Sequence, residues 1–113
     1  MDERAIKKVV LDAGHGGTDG GASANGIIEK EYTLKISQYI YDRLKALGVD
    51  VSMTRTDDST LDPTDRVNKI ISFYGNGSDV VVVSNHINAG GFAISNYQGL
   101  NLKKHDIISI NNF

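Results

Sequence analysis

The sequence predicts an α/β domain with an open, mostly parallel sheet and flanking helices. Three observations predict it. Short apolar runs alternate with helical periods in the order strand, helix, strand, helix, strand, which yields parallel pairing. The run Val80-Val81-Val82-Val83 is continuous and β-branched, as expected of a strand covered on both faces. The first and third strands each run into a polar segment containing a histidine, and open α/β sheets bind ligands beyond the carboxyl ends of their strands.

Each element has a local reason. Val9-Val10-Leu11 reads as the first strand, stopped by the glycine-rich segment from Gly14 to Gly26, which is too rich in glycine for a helix or strand interior. From about Lys30 the period becomes helical, with Ile36, Ile40, Leu44 and Leu47 recurring on one face, and Gly48 stands where a helix C-terminal glycine belongs. Val49, Val51 and Met53 alternate with polar residues, predicting a strand with one buried face. Asp62-Pro63 supplies an N-cap and a proline at the first helical position. The helix it opens carries Val67, Ile70, Ile71 and Tyr74 on one face and stops at Gly75. From about Phe92 the pattern fades. Ile107-Ile108 and Ile110 predict a short strand whose pairing partner nothing in the sequence fixes.

Composition narrows the function classes. The 113 residues make one small domain at most, with hydrophobic and charged contents, 40% and 23%, ordinary for a globular chain. A net charge of −2 gives no reason to expect nucleic acid or an anionic membrane as partner. There is no cysteine, so any metal site must use histidine and carboxylate. The charged start Met1-Asp2-Glu3-Arg4 lacks the apolar stretch of a signal peptide, and no run reaches the length of a membrane span. The expectation is therefore cytoplasmic synthesis of a monomer.

His15 lies among glycines at the end of a strand, and His86 ends an apolar strand where an imidazole needs a polar partner or a metal. Both reach the same edge of the sheet. A carboxylate between them would complete the two-histidine, one-carboxylate set of a catalytic zinc ion, which keeps its fourth position open. Glu29 and Glu31 both stand near a helix start, where a carboxylate is favoured by the helix dipole for no catalytic purpose, and position alone does not separate them. Ser84 and Asn88 are candidates for orienting a ligand. Arg55, Asp57 and Arg66 read as structural ion-pair residues, and His105 as a solvated side chain. The glycine-rich loop lacks the lysine and spacing of a P-loop, leaving an anion-binding module as a weaker option.

Taken together, Val10-Leu11-Asp12-Ala13-Gly14-His15-Gly16-Gly17, Glu29-Lys30 with Leu34, Arg55 with Asp57, Arg66, and Ser84-Asn85-His86-Ile87-Asn88-Ala89 resemble the zinc-dependent N-acetylmuramoyl-L-alanine amidases of bacterial cell-wall and phage-lysin type. The resemblance covers residues 6–91, as the N-terminal part of the catalytic domain, and leaves 92–113 as a tail. It implies that His15, Glu29 and His86 bind zinc, choosing Glu29 over Glu31. It implies peptidoglycan as substrate, cleaved between N-acetylmuramic acid and L-alanine, and action at the cell wall after release by lysis or a holin-like route. The family pattern continues with further strands and a late glutamate acting as general base and acid. Here no glutamate follows Glu31, and after Asp79 the sole carboxylate side chain is Asp106. No catalytic acid or base is therefore identified, and its loss would cost a factor of about 10²–10⁴ in rate. The alternative to an amidase is a non-catalytic zinc- or cell-wall-binding fragment of an interrupted reading frame.

Overall fold

The computed structural model describes residues 7–24, 26–87 and 107–111. In chain order it has strand β1 (Lys8–Ala13), the two-residue strands β2 (Ser23–Ala24) and β3 (Ile27–Ile28), helix α1 (Glu29–Ala46), strand β4 (Val51–Met53), helix α2 (Pro63–Tyr74), strand β5 (Val80–His86) and strand β6 (Ile107–Asn111). The main sheet has the order β4-β1-β5-β6, and every pairing in it is parallel. The open α/β architecture expected from the sequence is the one observed.

Side-chain alternation divides the core between the two faces of the sheet. On one face Val10, Val80 and Val82 pack with Ile70 of α2, backed by Phe73 and Tyr74. On the other, Leu11, Val51 and Met53 pack with Leu34, Ile40, Tyr41 and Leu44 of α1, together with Val9 and Val83. Each such side chain, fully buried, stabilises the fold by about 1.5–3 kcal/mol. Helices on opposite faces leave β1 and β5 as interior strands, which is why their sequences are nearly continuously apolar.

The two helices begin differently. Asp62 caps α2 through its side chain, accepting from Asp65 N–H at 2.7 Å, with Pro63 next, as the sequence predicts. Helix α1 has no side-chain cap. Its first amides, Glu29 N–H and Lys30 N–H, donate instead to the carbonyls of Ala22 and Gly20 in the glycine-rich segment, at 2.9 and 3.0 Å. Both helices end before glycines with positive φ, Gly48 at 81° and Gly75 at 79°, as glycine at a helix end allows.

Two details depart from the sequence reading and a third completes it. The glycine-rich segment is not all loop, because β2 and β3 pair antiparallel within it. Leu47 is 72% exposed and lies past the last residue of α1, so the inward apolar line ends at Leu44, which packs with Ile40 against the sheet. The fully buried positions of α1 are the polar stripe Glu29, Thr33 and Ser37. The strand left without a partner, 107–111, lies parallel to β5 with Val82 opposite Ile107 and His86 opposite Asn111.

Candidate metal centre

The parallel register of β1 and β5 sets Asp12 opposite Ser84 and Ala13 opposite Asn85. Gly14 N–H extends the ladder to Asn85 carbonyl at 3.0 Å. His15 and His86 thus leave the same end of the sheet on neighbouring strands. His15 adopts φ 63°, a left-handed conformation uncommon outside glycine, and this turns its ring back toward the sheet end. Gly16 and Asp19 exchange backbone hydrogen bonds at 2.7 and 3.0 Å, closing a tight turn. Across it the Asp19 carboxylate meets His15 Nδ1 at 2.9 Å.

Glu29 is the first residue of α1 and is 1% exposed. A carboxylate there is favoured by the helix dipole, and each oxygen also accepts a backbone amide. Ala22 N–H donates to Oε1 at 2.9 Å and Ile87 N–H to Oε2 at 2.8 Å. Oε2 stands 3.1 Å from His15 Nε2 and 3.3 Å from His86 Nδ1. The two rings meet edge to face, with centroids 5.1 Å apart and planes at 89°. One ligand atom from each of His15, Glu29 and His86 lies within 4.8 Å of the others.

The donor set fits a cation. His15 Nδ1 faces Asp19 and its Nε2 faces the Glu29 oxygen, and a positive ion among the three ligand atoms would satisfy both Nε2 and Oε2. Burial, followed by the neighbouring charge of His15, holds the His86 imidazole below its ordinary pKa against the opposing pull of Asp12 and Glu29. The lowered pKa favours the neutral imidazole, the form that ligates a metal. Space around the centre is also reserved. A Cβ on Gly21 would lie 2.6 Å from His15 Cδ2 and 2.7 Å from Glu29 Oε1, and one on Gly14 would lie 2.6 Å from the His86 ring. Nitrogen and carboxylate donors of this kind suit zinc among the common ions.

A polar frame surrounds the three residues. Asp12 is fully buried and receives Arg66 at 2.6 Å, the Thr54 hydroxyl at 3.0 Å and the Ser84 hydroxyl at 3.1 Å. Arg66 also donates to the carbonyls of Ala13 and His15, at 2.9 and 3.0 Å. The rim is latched by Asp58, which accepts from Gly17 N–H at 2.7 Å and from Lys30 at 2.9 Å, and these bonds hold its carboxyl below the ordinary value. Burial works to raise the Asp19 carboxyl, but its bond to His15, the charge there and Gly21 N–H bring it below the ordinary value.

Of the residues singled out from the sequence, the structure brings together His15, Glu29 and His86 and leaves Glu31 exposed, outside the cluster. Arg66 makes the ion pair expected of it. Arg55 does not: its guanidinium binds main-chain carbonyls, among them that of Asp57 at 2.9 Å, and one hydroxyl. Ser84 bonds Asp12 rather than a ligand. Asn88, His105 and Asp106 lie outside the described residues. Sequence reasoning missed Asp19, Thr33 and Asn85. The one available signal was the polar stripe Glu29, Thr33, Ser37 at four-residue spacing on a helix that must bury one face.

Fold and donor set together define an α/β protein whose sheet ends in a two-histidine, one-carboxylate centre able to hold a metal ion. Comparison with known proteins gives the family. Residues 9–103 match the family described as N-acetylmuramoyl-L-alanine amidase, and the chain belongs to that family. YqiI of Bacillus subtilis (strain 168) is 42% identical over 84 residues, covering 74% of this chain and 39% of that protein. N-acetylmuramoyl-L-alanine amidase CwlM of Bacillus licheniformis is 42% identical over 86 residues, covering 74% of this chain and 32% of its own length. The catalytic domain of CwlV, the amidase of Bacillus (Paenibacillus) polymyxa var. colistinus, superposes with a TM-score of 0.65 at 34% identity, covering 76% of this chain and 48% of that domain. The chain spans less than half the length of each of these relatives.

Proposed function

We propose that His15, Glu29 and His86 bind a zinc ion and that this centre serves an N-acetylmuramoyl-L-alanine amidase acting on peptidoglycan. The observation that carries the reading is the convergence of His15 Nε2, Glu29 Oε2 and His86 Nδ1 at the carboxyl end of the sheet. Zinc bound there would supply Lewis acidity to the amide carbonyl between N-acetylmuramic acid and L-alanine and to the attacking water.

The chain's own residues hold and orient. Asp19 fixes the His15 proton on Nδ1 and keeps Nε2 free to ligate. Glu29 brings a negative charge whose orientation is fixed by Ala22 N–H and Ile87 N–H. The Lys30–Asp58 latch holds the glycine-rich segment against the loop after β4. Among the described residues no helix is long and apolar enough to cross a membrane. We place the site of action at the cell wall, reached on lysis as in an endolysin. The second reading is that these residues bind zinc and wall material without turnover.

The test is metal analysis of the purified chain followed by digestion of purified cell walls, scored as newly freed L-alanine amino groups. The expected result is one zinc per chain and amide cleavage that ceases on chelation, returns with zinc, and is lost in His15→Ala and His86→Ala. Zinc uptake without cleavage would establish the second reading. A chain that takes up no zinc would overturn both.

A further inference from the structure

We infer that Thr33, together with Arg55 and Asn85, is a positioning residue that locks the three ligand-bearing segments to one another before any metal arrives. The inference rests on the zinc reading above. Its ground is one residue that joins all three segments, through its hydroxyl on one side and its main-chain carbonyl on the other. Thr33 is fully buried, one helical turn after Glu29. Its hydroxyl donates to the carbonyl of Gly14, the residue before His15, at 2.7 Å. Its carbonyl accepts from Asn85 Nδ2, on the residue before His86, at 3.2 Å. No metal takes part in these bonds.

Arg55 reinforces the same junction. It is 3% exposed, and among the described residues its hydrogen bonds go to carbonyls and one hydroxyl, not to a carboxylate. A charge so buried is costly unless every donor is used. Here Nε and Nη2 reach the carbonyls of Ala13 and Gly14 at 3.2 and 3.0 Å. Nη2 also reaches the Lys30 carbonyl at 2.9 Å and the Thr33 hydroxyl at 3.2 Å. The guanidinium therefore spans the segment before His15 and the segment after Glu29. Plain helix anchoring does not require this, because Leu34, Ile40, Tyr41 and Leu44 already fasten α1 to the sheet. The polar contacts are concentrated at the one end of the helix that carries a ligand.

Asn85 offers the cleanest contrast with a merely structural role. Its Oδ1 is buried without a hydrogen-bond partner among the described residues, an arrangement that costs stability. Only Nδ2, the atom facing Thr33, is used. Leucine at this position would remove the orphaned oxygen and fill similar space.

The test measures zinc affinity by competition with a chromophoric chelator, alongside thermal melting of the metal-free chain. Thr33→Val and Asn85→Leu are expected to weaken zinc binding by about 10–100-fold, as for groups that orient ligands. Thr33→Ser, which restores the hydroxyl, is expected to bind as the unmodified chain does. Asn85→Leu is expected to melt no lower than the unmodified chain, so its lost affinity is not a by-product of unfolding; it also serves if Thr33→Val does not fold. Unchanged zinc affinity in the folded variants overturns the locking role while leaving the zinc reading intact. An unmodified chain that binds no zinc overturns the zinc reading itself.

Discussion

The two helix starts follow opposite rules. Helix α2 opens with Asp62 and Pro63, and its cap lies within three residues of sequence. Helix α1 opens with Ile28, which caps nothing, and with a glutamate turned inward to the centre. Its first amides are satisfied by carbonyls of the glycine-rich segment that also presents His15. A helix end that serves only the fold can be built locally. The one that carries Glu29 is completed by the chain segment bearing His15, so the start of α1 and the candidate centre share their hydrogen bonds.

Substitutions can break that contrast, and the largest effect belongs to Glu29. Glu29→Gln removes the charge and sets an amide donor against Ala22 N–H or Ile87 N–H. We expect loss of stoichiometric zinc, read by metal analysis, and a stability loss of about 1–3 kcal/mol in urea unfolding. Gly21→Ala should come next. Its φ of 73° disfavours a side chain, and the added Cβ meets both His15 and Glu29. A loss of about 1–3 kcal/mol is expected, with weaker zinc binding. Asp62→Ala should cost about 1 kcal/mol through the lost cap and leave zinc affinity unchanged. If it also weakens zinc binding, the two starts are not independent and the comparison fails.

The smallest effect concerns the rim latch. Asp58 is held below its ordinary value of 3.8 by Lys30 and by Gly17 N–H. A depressed carboxyl contributes stability above its unfolded pKa and loses it as the pH falls through the folded value. Asp58→Asn should therefore lower the melting temperature slightly at neutral pH. The difference from the unmodified chain should vanish in acid, below the folded pKa.

What the sequence revealed follows the same division. The Asp62-Pro63 start, the glycine ends at Gly48 and Gly75, and the apolar strands were legible because each is set by neighbours in sequence. The β2–β3 hairpin was not, because two-residue strands carry no alternation. Nor was the pairing of 107–111, since parallel register between distant segments leaves no local mark. At the centre both histidines were legible from strand order. The choice of Glu29 over Glu31 needed the family resemblance, because both stand in the first turn of α1. Asp19, Thr33 and Asn85 act through contacts that exist only once β1, α1 and β5 have met.

The left-handed backbone at His15 has a consequence for the stability of the chain. An L-residue there carries a conformational cost of about 1–2 kcal/mol that glycine does not. His15→Gly would thus relieve strain while discarding a proposed ligand, so stability and the proposed metal binding pull this position in opposite directions. A chain with no use for the proposed metal would be more stable with glycine at this position.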